Sequence, residues 1–284
     1  MKKRIITGTL MALIVFPLLF IGGVPFLIAS IALTGVCLYE VTKVKKVSPY
    51  ISIPLIMATL FFTFFDYATI NETFLSYPIY YPVIMTLVLY TIAIFNKDIK
   101  VEDVNYLVVM HLVFSIFGRG IIYLRGLNDN ANVIFYLILT TMSVDIFAYF
   151  IGRKFGKNKL NERISPKKTI EGSIGGIAFG VIIGLLVSAF FPIFTSNNTT
   201  PFIGLALNTS FNLPNYLLVI VLTLVLTITA QLGDLMFSLI KRTFKIKDFS
   251  NILPGHGGII DRIDGISFNV IIVSFLHIFL MLFI

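Results

Sequence analysis

Asn215-Tyr-Leu-Leu-Val-Ile-Val-Leu-Thr-Leu-Val-Leu-Thr-Ile-Thr-Ala-Gln-Leu-Gly-Asp-Leu-Met-Phe-Ser238 runs 24 residues with a single charged side chain, Asp234. A helix of that length crosses about 30 Å of hydrocarbon. The run is apolar on every side, which excludes the period-2 alternation of a membrane-spanning strand. Eight comparable runs accompany it, near residues 5–21, 24–43, 51–66, 79–95, 104–117, 131–151, 171–194 and 266–284. The third and fifth of the nine are short. The chain is 57% hydrophobic and 13% charged, against roughly 25% charged in soluble proteins. The expectation is an all-α, polytopic transmembrane protein of about nine helices.

Lys and Arg concentrate on the cytoplasmic side of membrane proteins, so their positions orient the chain. With nine spans and a cytoplasmic N-terminus, 20 of the 22 cations fall inside, leaving Arg119 and Arg125 outside. The C-terminus is then external. Topology and anionic headgroups account for the net charge of +8, and no nucleic-acid partner is expected. The single cysteine, Cys37, lies in the second run and allows no intramolecular disulfide. Met1-Lys-Lys-Arg before an apolar run has the opening of a secretory signal without a small-x-small cleavage site, so the first helix is expected to be retained. Asn71, Asn197, Asn198 and Asn208 stand in Asn-x-Ser/Thr triplets on the outer face, significant only in a secretory pathway. No repeat or linker divides the chain. Residues 1–284 read as one membrane domain, with 1–130 as scaffold and 131–284 carrying the chemistry.

Unusual residues gather after the long run. Ser238 to Asp264 holds three carboxylates, five cations, a histidine and a glycine-rich turn, a density that membrane crossing does not require. Gln231, Asp234, Ser238 and Lys241 share one helical face by spacing. An acid at that depth usually faces a cavity; its structural alternative is a pairing with Lys241 or Arg242. Asp261 and Asp264, three apart at the start of the last helix, repel each other unless a cation or protons intervene. With Asp234 they form an oxygen-ligand set suited to Mg2+. Favourable placement against a helix N-terminus explains one such acid, but not all three. Pro254-Gly-His256-Gly257-Gly258 frees backbone N–H groups to approach an anion, beside Lys241, Arg242, Lys247 and Arg262. His256 suits phosphate donation or loop stabilisation better than proton transfer.

A second constellation precedes it. Asp145, Tyr149, Gly152 and Gly156 fall on one stripe of a helix. After a basic loop, Ser165-Pro166 is expected to open the next helix, with Thr169 as candidate N-cap. Glu171 then enters the membrane beside Gly172, Gly175 and Gly176, small residues that permit close packing. Glu40 is the lone acid of the second helix and has no partner evident in the sequence.

These residues resemble the phosphatidate cytidylyltransferases, the CDP-diacylglycerol synthases. Ser238, Ile240, Lys241, Arg242, Lys247, Asp248, Ser250, Leu253, Pro254, His256, Gly257, Gly258, Ile259, Asp261, Arg262, Ile263 and Asp264 all fit that family's long signature. Its upstream pattern fits Asp145, Tyr149, Gly152, Ser165, Pro166, Lys168, Thr169, Glu171 and Gly172. Two departures occur: Gly265 stands where the family commonly has Ser, and Asn269-Val270 where it has Pro a little farther on.

The resemblance implies metal-dependent transfer of the cytidylyl group of CTP to phosphatidate at the cytoplasmic face of a bacterial inner membrane. It implies Mg2+ or Mn2+ on Asp234, Asp261 and Asp264, with an additional monovalent cation and a homodimer as further expectations. The catalytic group would be Lys241, Arg242, Lys247, Asp248, His256 and Arg262. Substrate would meet Asp145, Tyr149, Ser165, Lys168, Thr169, Glu171, Ser238, Gly257 and Gly258. Two other readings stand beside this one: an ion or phosphate transporter with buried acids, and the same chemistry on an ether lipid or polyprenyl phosphate.

Overall fold

The protein is described by a computed structural model over residues 2–65, 80–126, 131–190 and 213–281. Among those residues the chain is all-α apart from one small hairpin. Its helices are α1 (Lys2–Ile21), α2 (Gly23–Val44), α3 (Pro49–Phe64), α4 (Tyr80–Phe95), α5 (Val101–Gly126), α6 (Asn132–Phe155), α7 (Ile170–Phe190), α8 (Leu213–Thr243) and α9 (Ile260–Met281). Strands β1 (Lys159–Asn161) and β2 (Ser165–Thr169) lie between α6 and α7. Six helices are long and apolar enough to cross a membrane: α2 and α5 to α9. The apolar parts of α1, α3 and α4 are shorter. Large apolar side chains stand exposed along these helices, among them Val24, Leu87, Ile174 and Leu232, as lipid-facing surface requires. The chain is an integral membrane protein. The four Asn-x-Ser/Thr asparagines lie outside the described residues.

Two sequence expectations change. The fifth helix does not stop near residue 117; α5 continues to Gly126 and carries Arg119 and Arg125 inside it. Both arginines are buried and find main-chain carbonyls. Arg119 donates to Thr63 O (3.4 Å), near the end of α3, and Arg125 to Leu19 O (2.8 Å) and Phe20 O (3.3 Å), at the end of α1. Helix C-termini present unsatisfied carbonyls and a partial negative charge, so they can take buried guanidinium groups. The second change is at Ser165-Pro166, which forms β2 rather than a helix start. Proline restricts the residue before it to extended backbone, and the segment pairs antiparallel with β1, Lys159 opposite Thr169 and Asn161 opposite Ser165. The helix begins at Ile170, with Thr169 Oγ1 accepting from Gly172 N (3.1 Å) as the expected cap.

The chain forms two compact units. The first comprises Met1–Gly126 with Asp248–Arg262; the second comprises Leu127–Lys247 with Ile263–Ile284. In the first, α5 packs on α2, α3 and α4. A buried polar seam runs through this packing: Thr63 Oγ1 bonds Ser115 Oγ at 2.5 Å, and Thr59 bonds Tyr81. The Thr59 and Thr63 hydroxyls each also donate back to the carbonyl four residues earlier, which keeps them satisfied inside an apolar helix.

In the second unit, α7 is held between α6 and α8 by a glycine at every fourth position. A Cβ at Gly172 would meet Ala148 O at 2.6 Å, and one at Gly176 would meet Val144 O at 2.8 Å. At Gly180 it would meet both Val144 and Thr227, and at Gly184 Thr223. Any side chain on that stripe would force the backbones apart. Polar links fix the register: Ser173 Oγ donates to Gln231 Oε1 (2.5 Å), and Gln231 Nε2 donates to Ser173 O (3.1 Å). Buried Asn269 of α9 accepts from Thr229 (2.6 Å) and donates to Thr141 (2.8 Å), tying α9 to α8 and α6.

Candidate active site

In the second unit the hairpin positions the upstream motif. Glu171, in the first turn of α7, accepts from Lys157 N (3.0 Å), Asn158 N (3.1 Å) and Asn158 Nδ2 (2.9 Å). Its carboxylate thus holds the chain entering β1. Asn161 Oδ1 accepts from Ile164 N (3.1 Å) to close the turn, and Lys159 Nζ donates to Pro166 O (2.8 Å). Thr169 packs where Gly152 and Gly156 leave room for it. Lys168 is thereby directed to Asp234 on α8, and the two form an ion pair. Asp234 was expected to pair, if at all, with a cation of its own helix end; its partner comes instead from the β2 strand. Ser238, one turn on, donates to Asp234 Oδ1 (3.3 Å).

Further groups converge here. Arg242 Nε donates to Ile164 O (3.2 Å). Asp264 interacts electrostatically with Asp234, Asp145 and Lys241. Gly233 permits this approach of α9 to α8, because a Cβ there would lie 2.8 Å from Asp264 O. Three carboxylates and two ammonium groups, from α6, β2, α8 and α9, therefore share one neighbourhood. Tyr149 and Lys247 are exposed, and the Tyr149 hydroxyl accepts from Arg153 (3.4 Å).

In the first unit lies the segment Asp248–Arg262. Gly255 (φ 78°) and Gly257 (φ 85°) adopt the left-handed backbone that glycine tolerates. The amides of His256 and Gly257 donate to Leu253 O (2.9 and 3.2 Å). Asp261 Oδ2 reaches back to Gly258 N (3.0 Å), as the acidic arm of a capping box does, and accepts from Phe249 N (2.9 Å). The amides of Ile259 and Ile260 donate to Glu40 (2.8 and 2.9 Å). Five consecutive amides of the loop, 256 to 260, are thus satisfied within the protein. The backbone anion nest expected from the glycines is spent on holding the loop, and the groups it presents are side chains. Arg262 Nε donates to His256 O (3.0 Å) and is exposed. His256 Nδ1 is buried with no hydrogen-bond partner among the described residues, which marks a ring nitrogen with capacity to spare.

Of the expected metal set, Asp234 and Asp264 meet in the second unit, while Asp261 belongs to the first and binds loop amides. Among the described residues no three His, Cys, Asp or Glu side chains close on one point. The donor set still fits Mg2+, which takes one or two carboxylates, substrate phosphates and water. Glu40 is the functional candidate that sequence reasoning left unplaced. Its only signal was an acid inside an apolar helix, because its partners are a hydroxyl and backbone amides over 200 residues away.

The sequence profile of the cytidylyltransferase family matches residues 2–282. The phosphatidate cytidylyltransferase of Bacillus subtilis is 33% identical over 293 residues, covering 100% of this chain and 98% of its own. That of Staphylococcus haemolyticus is 31% identical, covering 94% and 95%; that of Brucella abortus is 31% identical, covering 94% and 89%. A match that runs through both units and across every candidate residue shows that the chain belongs to the cytidylyltransferase family.

Proposed function

We propose that the protein transfers the cytidylyl group of CTP to phosphatidate, giving CDP-diacylglycerol and pyrophosphate for phospholipid synthesis. The observation that carries this reading is the full-length similarity to phosphatidate cytidylyltransferases, joined to the acid and ammonium cluster of the second unit. The chain sits in a bacterial cell membrane with nine crossings, the N-terminus and the active face on the cytoplasmic side, where its cations concentrate.

The phosphate of phosphatidate is already ionised, so its oxygen attacks the α-phosphorus of CTP without a strong base. The bond from the α-phosphorus to the bridging oxygen of the β-phosphate breaks, and pyrophosphate leaves with the electron pair. The obstacle is bringing two anions together, and rate comes from positioning and charge neutralisation. Lys168, Lys241, Arg242, Lys247 and Arg262 supply that neutralisation, and His256 donates to a phosphate oxygen. Asp234 and Asp264 would hold a divalent ion, Mg2+ or Mn2+. When bound, such an ion neutralises triphosphate charge and polarises the transferring phosphorus. Lys168 and Asp234 pair with each other; with substrate bound, the Lys168 ammonium group would turn to phosphate and leave the Asp234 carboxylate available to hold the divalent ion.

Purified protein given CTP, phosphatidate and Mg2+ is expected to form a lipid-soluble cytidine nucleotide, and EDTA to stop it. Absence of product with phosphatidate, ether-lipid phosphate and polyprenyl phosphate alike, from folded protein, would overturn the proposal.

A further inference from the structure

Glu40 is completely buried near the C-terminal end of α2, yet it meets no cation there among its hydrogen-bond partners. Its Oε1 accepts from Ser250 Oγ (2.5 Å) and Ile259 N (2.8 Å), and its Oε2 from Ile260 N (2.9 Å). The last two are the amides at the start of α9, where a helix carries unsatisfied donors and partial positive charge. Gly258 is shaped to this contact: a Cβ there would lie 2.7 Å from both carboxylate oxygens. Asp261 fastens the same loop from within, through Phe249 and Gly258. An ionised acid out of water is costly unless its lone pairs are occupied, and here three donors from one functional loop occupy them. We infer that Glu40 is a positioning residue for nucleotidyl transfer: it sets the conformation of the Asp248–Arg262 loop, and so the placement of His256 and Arg262, without touching substrate.

The inference rests on the proposed reaction for its kinetic consequence, but the clamp can be measured alone. Glu40→Gln preserves volume while replacing one acceptor oxygen by a donor that faces amide donors. It is expected to lower kcat/KM for CTP about 10- to 100-fold, the scale of a displaced catalytic geometry. The loss should fall on kcat more than on KM, because Glu40 touches neither substrate. Hydrogen exchange at residues 249–262 should accelerate about tenfold or more while the amides of α5 keep their protection. Ser250→Ala removes one donor and keeps the carboxylate, so it should give a smaller loss of the same kind. Combined with Glu40→Gln, it should add little, since both act through one contact. If Glu40→Gln does not accumulate as folded protein, Glu40→Asp and Ser250→Ala carry the test by the same readouts.

Wild-type kinetics in these variants would overturn the inference. So would accelerated exchange spread through all of the first unit, which would make Glu40 a general stabiliser. An exchange change confined to the loop in the variants, alongside a wild-type protein that forms no nucleotide lipid, would uphold the clamp and sink the reaction instead.

Discussion

Asp234 illustrates how much a single side chain's meaning depends on its partner. Spacing places it one turn from Ser238 and two turns from Lys241 on the same helix, and Ser238 does donate to it, but the ion pair comes from Lys168 on β2. Breaking a partly buried pair by removing one member leaves the other uncompensated. Lys168→Ala is therefore expected to lower turnover about 100-fold or more, with Lys168→Arg retaining part of it, as steady-state assays in detergent would reveal. Asp264→Ala should abolish turnover while the protein still elutes as a folded species on size exclusion. An active Asp264→Ala protein would remove the metal role assigned to that carboxylate. Asp234 and Asp264 were legible as candidate site residues because acids within apolar helices are conspicuous. Glu40 was equally conspicuous, but its partners are mostly backbone amides, which leave no mark in the sequence.

At the scale of elements, hydrophobic run length located the helices of the described residues, six of them long and apolar enough to cross a membrane, because burial in lipid demands long apolar stretches of helix. It failed where polar groups are satisfied inside the protein. The fifth run was ended too early by Arg119 and Arg125, whose charge is absorbed by carbonyls at other helix ends. Ser165-Pro166 looked like a helix start and became a strand, because Lys159–Asn161 offered it a partner. The glycine stripe of α7 was visible only in part, at Gly172, Gly175 and Gly176; its continuation through Gly180 and Gly184 packs against α6 and α8. Gly180→Val should destabilise the second unit by about 1–3 kcal/mol through overpacking, seen as a lower unfolding temperature. Asn269 occupies a departure from the family pattern and links three helices. Asn269→Ala leaves the Thr141 and Thr229 hydroxyls without it and should cost about 1 kcal/mol or more, measured the same way, with turnover retained in the surviving folded protein.

At the scale of the whole molecule, the proposed topology of nine crossings with a cytoplasmic N-terminus is open to side-specific labelling. Cys37 is fully buried and is the chain's single cysteine, so labelling needs no cysteine-free parent. Lys46→Cys and Lys97→Cys should react only with reagent admitted to the cytoplasmic side, and Asn198→Cys with impermeant reagent from outside. The proposed reaction moves the α-phosphorus of CTP and leaves the β- and γ-phosphorus in pyrophosphate. Purified protein supplied with phosphatidate, Mg2+ and CTP labelled either at the α- or at the γ-phosphorus separates the possibilities in one experiment. Nucleotidyl transfer predicts that α-label enters the lipid and γ-label is released in pyrophosphate, in equal amounts. Appearance of γ-label in the lipid, or of neither label with folded protein, would contradict the account.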